Sequence, residues 1–367
     1  MTTPTPLARA ATSAPLEPEP QTPSPLAPRG GRLPRYVPYA VGAASLVFAY
    51  LLLLVVASPG IPSVVASAAA LYAVAITIVS RVVEGHRWAV DRLATTLVTF
   101  AFAVALIPLV SLLWTVGSKG AALFSAEFLT TDMVGVFGDM TSGGVAHAIV
   151  GTLAVTATAA LISVPIGLLT AIYLVEYGRG RVAKGITFLV DVMTGIPSIV
   201  AGLFAFALFT LIMGPAYRSG FMGAVALAVL MTPVVIRSVE EMLRLVPNEL
   251  REAAYALGVP KWLTIVKVVL RTAVAGIVTG IMLAVARVIG ETAPLLITVG
   301  ILTRSSWNVL EGRMATLPVF AYNQYQQGGV GVDRAWAAAL TLILIVMILN
   351  LAARMISRVF APKGAAH

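Results

Sequence analysis

Eight runs of mostly apolar residues set the terms for this chain, lying near 39–57, 61–80, 94–116, 145–175, 186–213, 221–238, 273–300 and 335–357. Each has roughly the 20 residues that a helix needs to cross a ~30 Å hydrocarbon core, or more. Only 11% of the 367 residues are charged. Soluble proteins average about 25%, so several soluble domains of this total length could not be coated with so few charges. The runs are therefore read as membrane spans, in an all-α integral membrane protein built as a polytopic helical bundle. The fourth, fifth and seventh are long enough to tilt or to carry a break. Pro165 and the Gly195-Ile-Pro197-Ser198 step fall inside such runs, where neighbouring helices can resatisfy a broken backbone. The run at 221–238, with Pro233 and Arg237, is the weakest candidate.

Lys and Arg orient the bundle. With the N-terminus inside, 19 of the 25 basic residues fall on that side, in 1–38, 81–93, 176–185, 237–272 and 354–367. The opposite loops hold five, Lys119, Arg218, Arg304, Arg313 and Arg334, and Arg287 lies within a span. Positive residues stay inside, so about eight helices with both termini cytoplasmic are expected. The same distribution explains the net charge of +9 without a nucleic-acid partner. Residues 1–38 hold 10 of the 22 prolines and read as a disordered cytoplasmic tail. The external loops 117–144, with Glu127, Asp132 and Asp139, and 301–334, with Trp307, Tyr322 and Tyr325, are long enough to meet a soluble partner. Anchoring of their aromatics at the interface is the simpler reading. No cysteine is present, and His86, His147 and His367 have no ligand spacing, so no metal site is expected.

The cytoplasmic loop 246–270 is the most informative stretch. Pro247 and Asn248 can start a helix with Glu249 and Glu252 in its first turn, and Gly258 suits a left-handed C-terminal turn. Pro260 can open a second helix through Trp262 into the membrane. Glu252, Ala253, Ala254 and Gly258 have the spacing of the EAA loop of ABC-importer permeases, which this loop resembles, with Val268 and Leu270 where that pattern has isoleucine and leucine. Arg271 stands in place of its usual proline. The resemblance implies a coupling helix that docks on a separate ATPase; without it the loop reads as an amphipathic connector. No Gly-x-x-x-x-Gly-Lys-Ser/Thr phosphate loop occurs, so ATP and its Mg are expected on a partner subunit, and no enzymatic activity or cofactor in this chain.

Two pairs of charges sit in spans: Arg237 with Glu240, three residues apart on one helix face, and Arg287 with Glu291, four residues apart on one helix face. An ionised group in a bilayer normally faces a partner or a water-filled path. The residues alone leave two readings open. Either each glutamate neutralises the arginine of its own helix, or the arginines line a route for an oxyanion, which guanidinium binds in bidentate fashion. Asp191 reads as a snorkelling carboxylate, His147 as interfacial, and Met193, Met213 and Met231 as packing.

The stretches Leu283-Ala-Val-Ala-Arg287-Val-Ile-Gly-Glu-Thr-Ala-Pro-Leu-Leu296, Thr232-Pro-Val-Val-Ile-Arg237-Ser-Val-Glu240 and Gly195-Ile-Pro-Ser-Ile-Val-Ala-Gly202, together with the coupling loop, resemble the A-type permease family of phosphate-specific ABC importers (PstA). The resemblance covers about 144–357. It implies a type I ABC importer permease core there and extends less distinctly upstream to about 94, across the helix and external loop at 94–143. The N-terminal tail and the two accessory helices at 39–93 depart from the shorter family pattern, and a cytoplasmic tail follows at 358–367. The resemblance further implies a bacterial inner-membrane subunit that imports inorganic phosphate. Its partners would be a sister permease, two ATP-binding cassette ATPases and an external phosphate-binding protein. Arg237, Glu240 and Arg287, with Glu291 in the same motif, match the positions that family is thought to use in transport. Sulfate or molybdate transport, an ion-coupled transporter without ATP and a membrane scaffold are the rival readings.

Overall fold

The computed structural model describes residues 33–56, 60–137 and 140–360. Residues 1–32 of the expected tail, Asp139, and 361–367 at the C-terminus lie outside the described residues. Seven helices are long and apolar enough to cross a membrane, or eight if one bent pair counts as a single span. Two compact units divide at Val110/Ser111. The first contains α1 (Val37–Val56), α2 (Ile61–Val83) and most of α3 (His86–Gly120), which runs across the division. Ala49, Ala68 and Ile76 are buried in this unit, while Leu46, Phe48, Leu51 and Leu54 are exposed, as suits a helix whose solvent is lipid.

One buried charge anchors the first unit. Glu84 caps α2 and accepts hydrogen bonds from the Leu33 amide at 2.8 Å, Ser80 Oγ at 2.8 Å, and Arg92 Nε and Nη2 at 2.7 and 2.9 Å. Above all the bond from Arg92 holds the carboxyl at about 2, below its ordinary 4.5, against the opposing effect of burial. A depressed carboxylate stabilises the fold fully above its unfolded value and loses that contribution as pH falls through the folded value. Thermal unfolding of the purified protein should therefore show a stability loss between pH 4.5 and about 2 that Glu84→Gln diminishes. An unchanged pH profile in the variant would disprove this assignment.

The second unit continues with α4 (Ala126–Thr130) and α5 (Ala146–Ile172), which a π-helical turn at Tyr173–Tyr177 extends. There follow α6 (Gly180–Thr194), α7 (Ser198–Met213), α8 (Gly220–Arg244) and the short α9 (Asn248–Ala256). Then come α10 (Lys261–Thr264), a second π turn at Ile265–Val269, α11 (Leu270–Val288), α12 (Ala293–Thr298), α13 (Leu317–Gln327) and α14 (Val330–Phe360). Helix α8, the weakest candidate by sequence, is the central one: 61% of its apolar window is buried, against at most 22% in any other span. Pro233 and Arg237 lower its hydropathy because it faces protein on several sides. Leu227, Met231, Val235, Val239 and Leu243 of α8 pack with Val155 and Ala159 of α5 and Ala273 and Ile277 of α11. At Gly167 a Cβ would stand 2.6 Å from Val235 Cγ1, so only glycine allows α5 this close to α8.

Two expected spans and one expected loop take a different form. The run 186–213 is α6 and α7, bent by 106° across Gly195-Ile-Pro197. Pro197 lacks an N–H and disfavours helical backbone at Ile196, and the Gly195 amide closes on Val192 O at 3.0 Å. Pro165 stays inside α5 without a break. The expected helix 273–300 ends at Val288 and resumes as the separate α12, while its beginning extends back to Lys261. The loop 301–334 is not all loop, since it contains α13, started at Leu317-Pro318.

Candidate functional site

The charges of α8 form a ladder near its C-terminal end. Arg237, Glu240 and Arg244 are three and four residues apart and share a helix face. Arg237 Nη1 donates to Glu240 Oε2 at 2.9 Å, and Arg244 Nη2 donates to Oε1 at 2.6 Å. The Glu240 side chain is only 6% exposed, whereas that of Arg244 is 65% exposed. Two guanidiniums thus flank the buried carboxylate of Glu240. Breaking a buried pair by removing one partner costs about 3–5 kcal/mol, and the exposed Arg244 contributes much less than that. Arg237 has a second partner that sequence reasoning did not assign to it. Its Nη2 donates to the Asp191 carboxylate on α6, whose side chain is 61% exposed. The available signal was a lone carboxylate in an apolar run, which calls for a partner.

Arg287 and Glu291 do not share a helix. Helix α11 ends at Val288, so Glu291 lies beyond it and the expected four-residue pairing is lost. Among the described residues no ion pair joins the two. Instead both line a cavity of about 200 Å³, with Thr194 and Ser198 from the α6–α7 break and Pro233 and Val234 from α8. This is smaller than the ~300 Å³ at which sites for drug-sized ligands begin. Arg287 occupies the last turn of α11, where the carbonyl end of the helix favours a cation. Its guanidinium therefore has support without a carboxylate, and its donors stay available to the cavity. The two sites adjoin along α8: Pro233 and Val234 line the cavity, and Arg237 follows one turn later.

The loop 246–270 folds as α9, a glycine turn and α10. Glu249 is in the first turn of α9, and Glu252 falls just past it, since the helix begins at Asn248. The Gly258 amide bonds to Tyr255 O at 2.9 Å and the Val259 amide to Ala254 O at 3.1 Å, a complete Schellman closure. Gly258 has φ +74°, which a residue with a Cβ adopts only at a cost. The spacing from Ala254 to Gly258 is thus set by the way the helix ends. Ala254 is buried, and Glu252 and Ala253 are exposed. Leu250, Tyr255 and Trp262 are exposed too, as is Leu257 at 83%.

Arg251 fastens α9 to the rest. Its Nε and Nη2 donate to Glu176 Oε1 at 3.1 and 3.0 Å, its Nη2 to Leu243 O at 3.0 Å and its Nη1 to Val246 O at 2.6 Å. Glu176 belongs to the π turn that ends α5, and Lys261 donates to its carbonyl while lying 4.5 Å from the Tyr177 ring centroid. The ends of α5 and α8 and the start of α10 are therefore all held to α9. Sequence reasoning passed over both Arg251 and Glu176, because 75 residues separate them.

Comparisons with known proteins accord with this geometry. Residues 163–364 match the family model described as the inner membrane component of binding-protein-dependent transport systems. The phosphate transport system permease protein PstA 1 of Mycobacterium tuberculosis (strain CDC 1551 / Oshkosh) is 51% identical over 268 residues, 72% of this chain and 88% of that protein. PstA of Mycobacterium leprae (strain TN) is 45% identical over 276 residues, 75% of this chain and 90% of that protein. In fold, the chain is similar to a subunit of a bacterial alginate ABC transporter solved with an alginate-bound periplasmic protein. The TM-score is 0.53 at 15% identity, over 75% of this chain and 97% of that one.

Proposed function

We propose that this chain, which belongs to the family of binding-protein-dependent inner membrane transport components and within it to the PstA permeases, is a membrane subunit of an ATP-driven phosphate importer. The observation that carries the substrate class is Arg287, a guanidinium in an apolar span that lines a small polar cavity and has no carboxylate partner among the described residues. An oxyanion fits that cavity by size, by the forked donors of Arg287 and by the Ser198 hydroxyl, and Glu291 in the same lining tempers its hold. Arg237 and Glu240, one turn away, extend the polar route.

The proposed assembly pairs this permease with a sister permease, two ATPase subunits that bind ATP and Mg, and an external phosphate-binding protein. Both termini lie in the cytoplasm, as the basic loops favour. The ATPases dock on the exposed face of α9, where Leu250, Tyr255 and Leu257 offer apolar surface around Glu252 and Ala253. ATP-driven closure of the ATPases draws α9, and through Arg251 the ends of α5 and α8, so that the cavity opens to alternate sides of the membrane. No covalent change in the substrate is involved.

The test is uptake of radiolabelled phosphate by proteoliposomes that contain the whole complex, with ATP inside and the binding protein outside. Uptake should require ATP and persist in a large excess of sulfate. Equal competition by sulfate would remove the phosphate assignment and leave the permease, and uptake without ATP would remove the coupling role of α9.

A further inference from the structure

Asp191 is a carboxylate that the route described above does not use, and its place is specific. It sits on α6, three residues before Thr194, and Thr194 lines the Arg287 cavity. Arg237 sits on α8, three residues after Val234, which lines the same cavity. Helix α6 runs towards the cavity and α8 runs away from it to α9. The Asp191–Arg237 pair therefore joins the two helices about one 5.4 Å turn from the cavity, on the side that faces the coupling helix.

The two carboxylates on Arg237 are held in different ways. Glu240 is buried, lies on the same helix as Arg237 and is bonded by a second arginine. Asp191 comes from another helix, is 61% exposed, and has Arg237 as its ion-pair partner among the described residues. A solvated pair between two helices is weak and exchangeable, whereas a buried pair within one helix is neither. A carboxylate is also a fair stand-in for an oxyanion, since both present oxygens that accept from guanidinium N–H groups.

On the proposed reading of the chain as a phosphate permease, we infer that Asp191 is a gate and placeholder. Its carboxylate occupies the face of Arg237 that the substrate needs, and it ties α6 to α8 across the exit from the Arg287 cavity. Phosphate leaving Arg287 takes Asp191's place on Arg237, which releases the polar tie between α6 and α8 at the exit, while Val190 keeps its apolar packing, and opens the exit only when an anion is there to fill it. Glu240 keeps the guanidinium in position throughout. Asp191 is thus a positioning residue: it acts through Arg237 and sets when Arg237 can accept substrate.

The experiment uses the whole complex in proteoliposomes and compares wild type, Asp191→Asn and Asp191→Glu. Phosphate efflux from preloaded vesicles without ATP is measured beside ATP-driven uptake and the amount of assembled complex. Asp191→Asn should raise ATP-independent efflux about fivefold, the factor by which a solvated ion pair can bias an equilibrium, and should lower the phosphate moved per ATP. Asp191→Glu should restore the wild-type values of both. Equal efflux from wild type and Asp191→Asn overturns the inference. So does loss of the assembled complex in Asp191→Asn, which would make the pair a structural tie. A wild-type complex that moves no phosphate at all overturns the reading on which the inference rests, a result distinct from equal efflux.

Discussion

Arg287→Gln is expected to abolish phosphate uptake while the complex still assembles and its ATPases still turn over. The two outcomes separate because Arg287 has no ion pair among the described residues and lines a cavity, so the fold does not depend on its charge. Glutamine preserves much of the side chain's bulk and removes the positive charge and the forked donor set. Removing one partner of a desolvated, hydrogen-bonded charge pair costs about 2–5 kcal/mol, which corresponds to a loss of about 30-fold to several thousandfold. Arg287→Lys should recover only part of this, because an ammonium offers a point charge without the planar fork that fits an oxyanion. The measurement is initial uptake rate per assembled complex at saturating binding protein. A scaffold that merely assembles partners would transport normally with glutamine at 287, and that result would sink the assignment. Glu240→Gln provides the contrast: Glu240 is buried between two arginines, so this change should reduce assembly as well as transport.

How much of this was legible in the sequence depended on whether the determining contact was local. The spans were legible because crossing a membrane requires length and apolarity, and both are properties of a single segment. The break at Gly195-Ile-Pro197 was marked by residues that cannot continue a helix. The form of α9 could be read for the same reason: the alanine-to-glycine spacing is that of a local hydrogen-bonded closure. The pairing of Arg287 with Glu291 failed because it assumed a helix that continues, and α11 stops at Val288 with no proline before Pro294 to mark its end. Asp191 and Glu176 were underrated because their partners lie 46 and 75 residues away. The centrality of α8 was concealed for a related reason, since hydropathy records what a helix is made of and not whether it faces lipid or protein.

The other large effect is expected at Glu176, where the change should uncouple hydrolysis from transport without touching the anion route. Arg251 is 12% exposed and Glu176 6% exposed at the side chain, so the pair is well shielded from water. Glu176→Gln removes the charge that balances the Arg251 guanidinium and leaves it only neutral acceptors, the glutamine oxygen and the carbonyls of Leu243 and Val246 among them, at a cost of about 3–5 kcal/mol. The strain falls on the joint between α9 and the end of α5, because the other bonds of Arg251 go to the end of α8 and the segment that leads into α9. Once α9 can move without drawing α5, the ATPases should still hydrolyse ATP while phosphate moved per ATP falls severalfold. That ratio is independent of how much complex survives purification. The charge-reversed double variant, Glu176→Arg with Arg251→Glu, separates a simple ion pair from the joint described here. A simple pair would be restored by the exchange. Here it should not be, since a glutamate at 251 would face two carbonyl oxygens that only accept hydrogen bonds. Arg251→Lys should likewise fail, because one ammonium cannot reach Glu176, Leu243 and Val246 together with the geometry of a fork. A wild-type ratio of phosphate to ATP in Glu176→Gln, or recovery in the double variant, would show that the pull of the ATPases reaches the spans by another path.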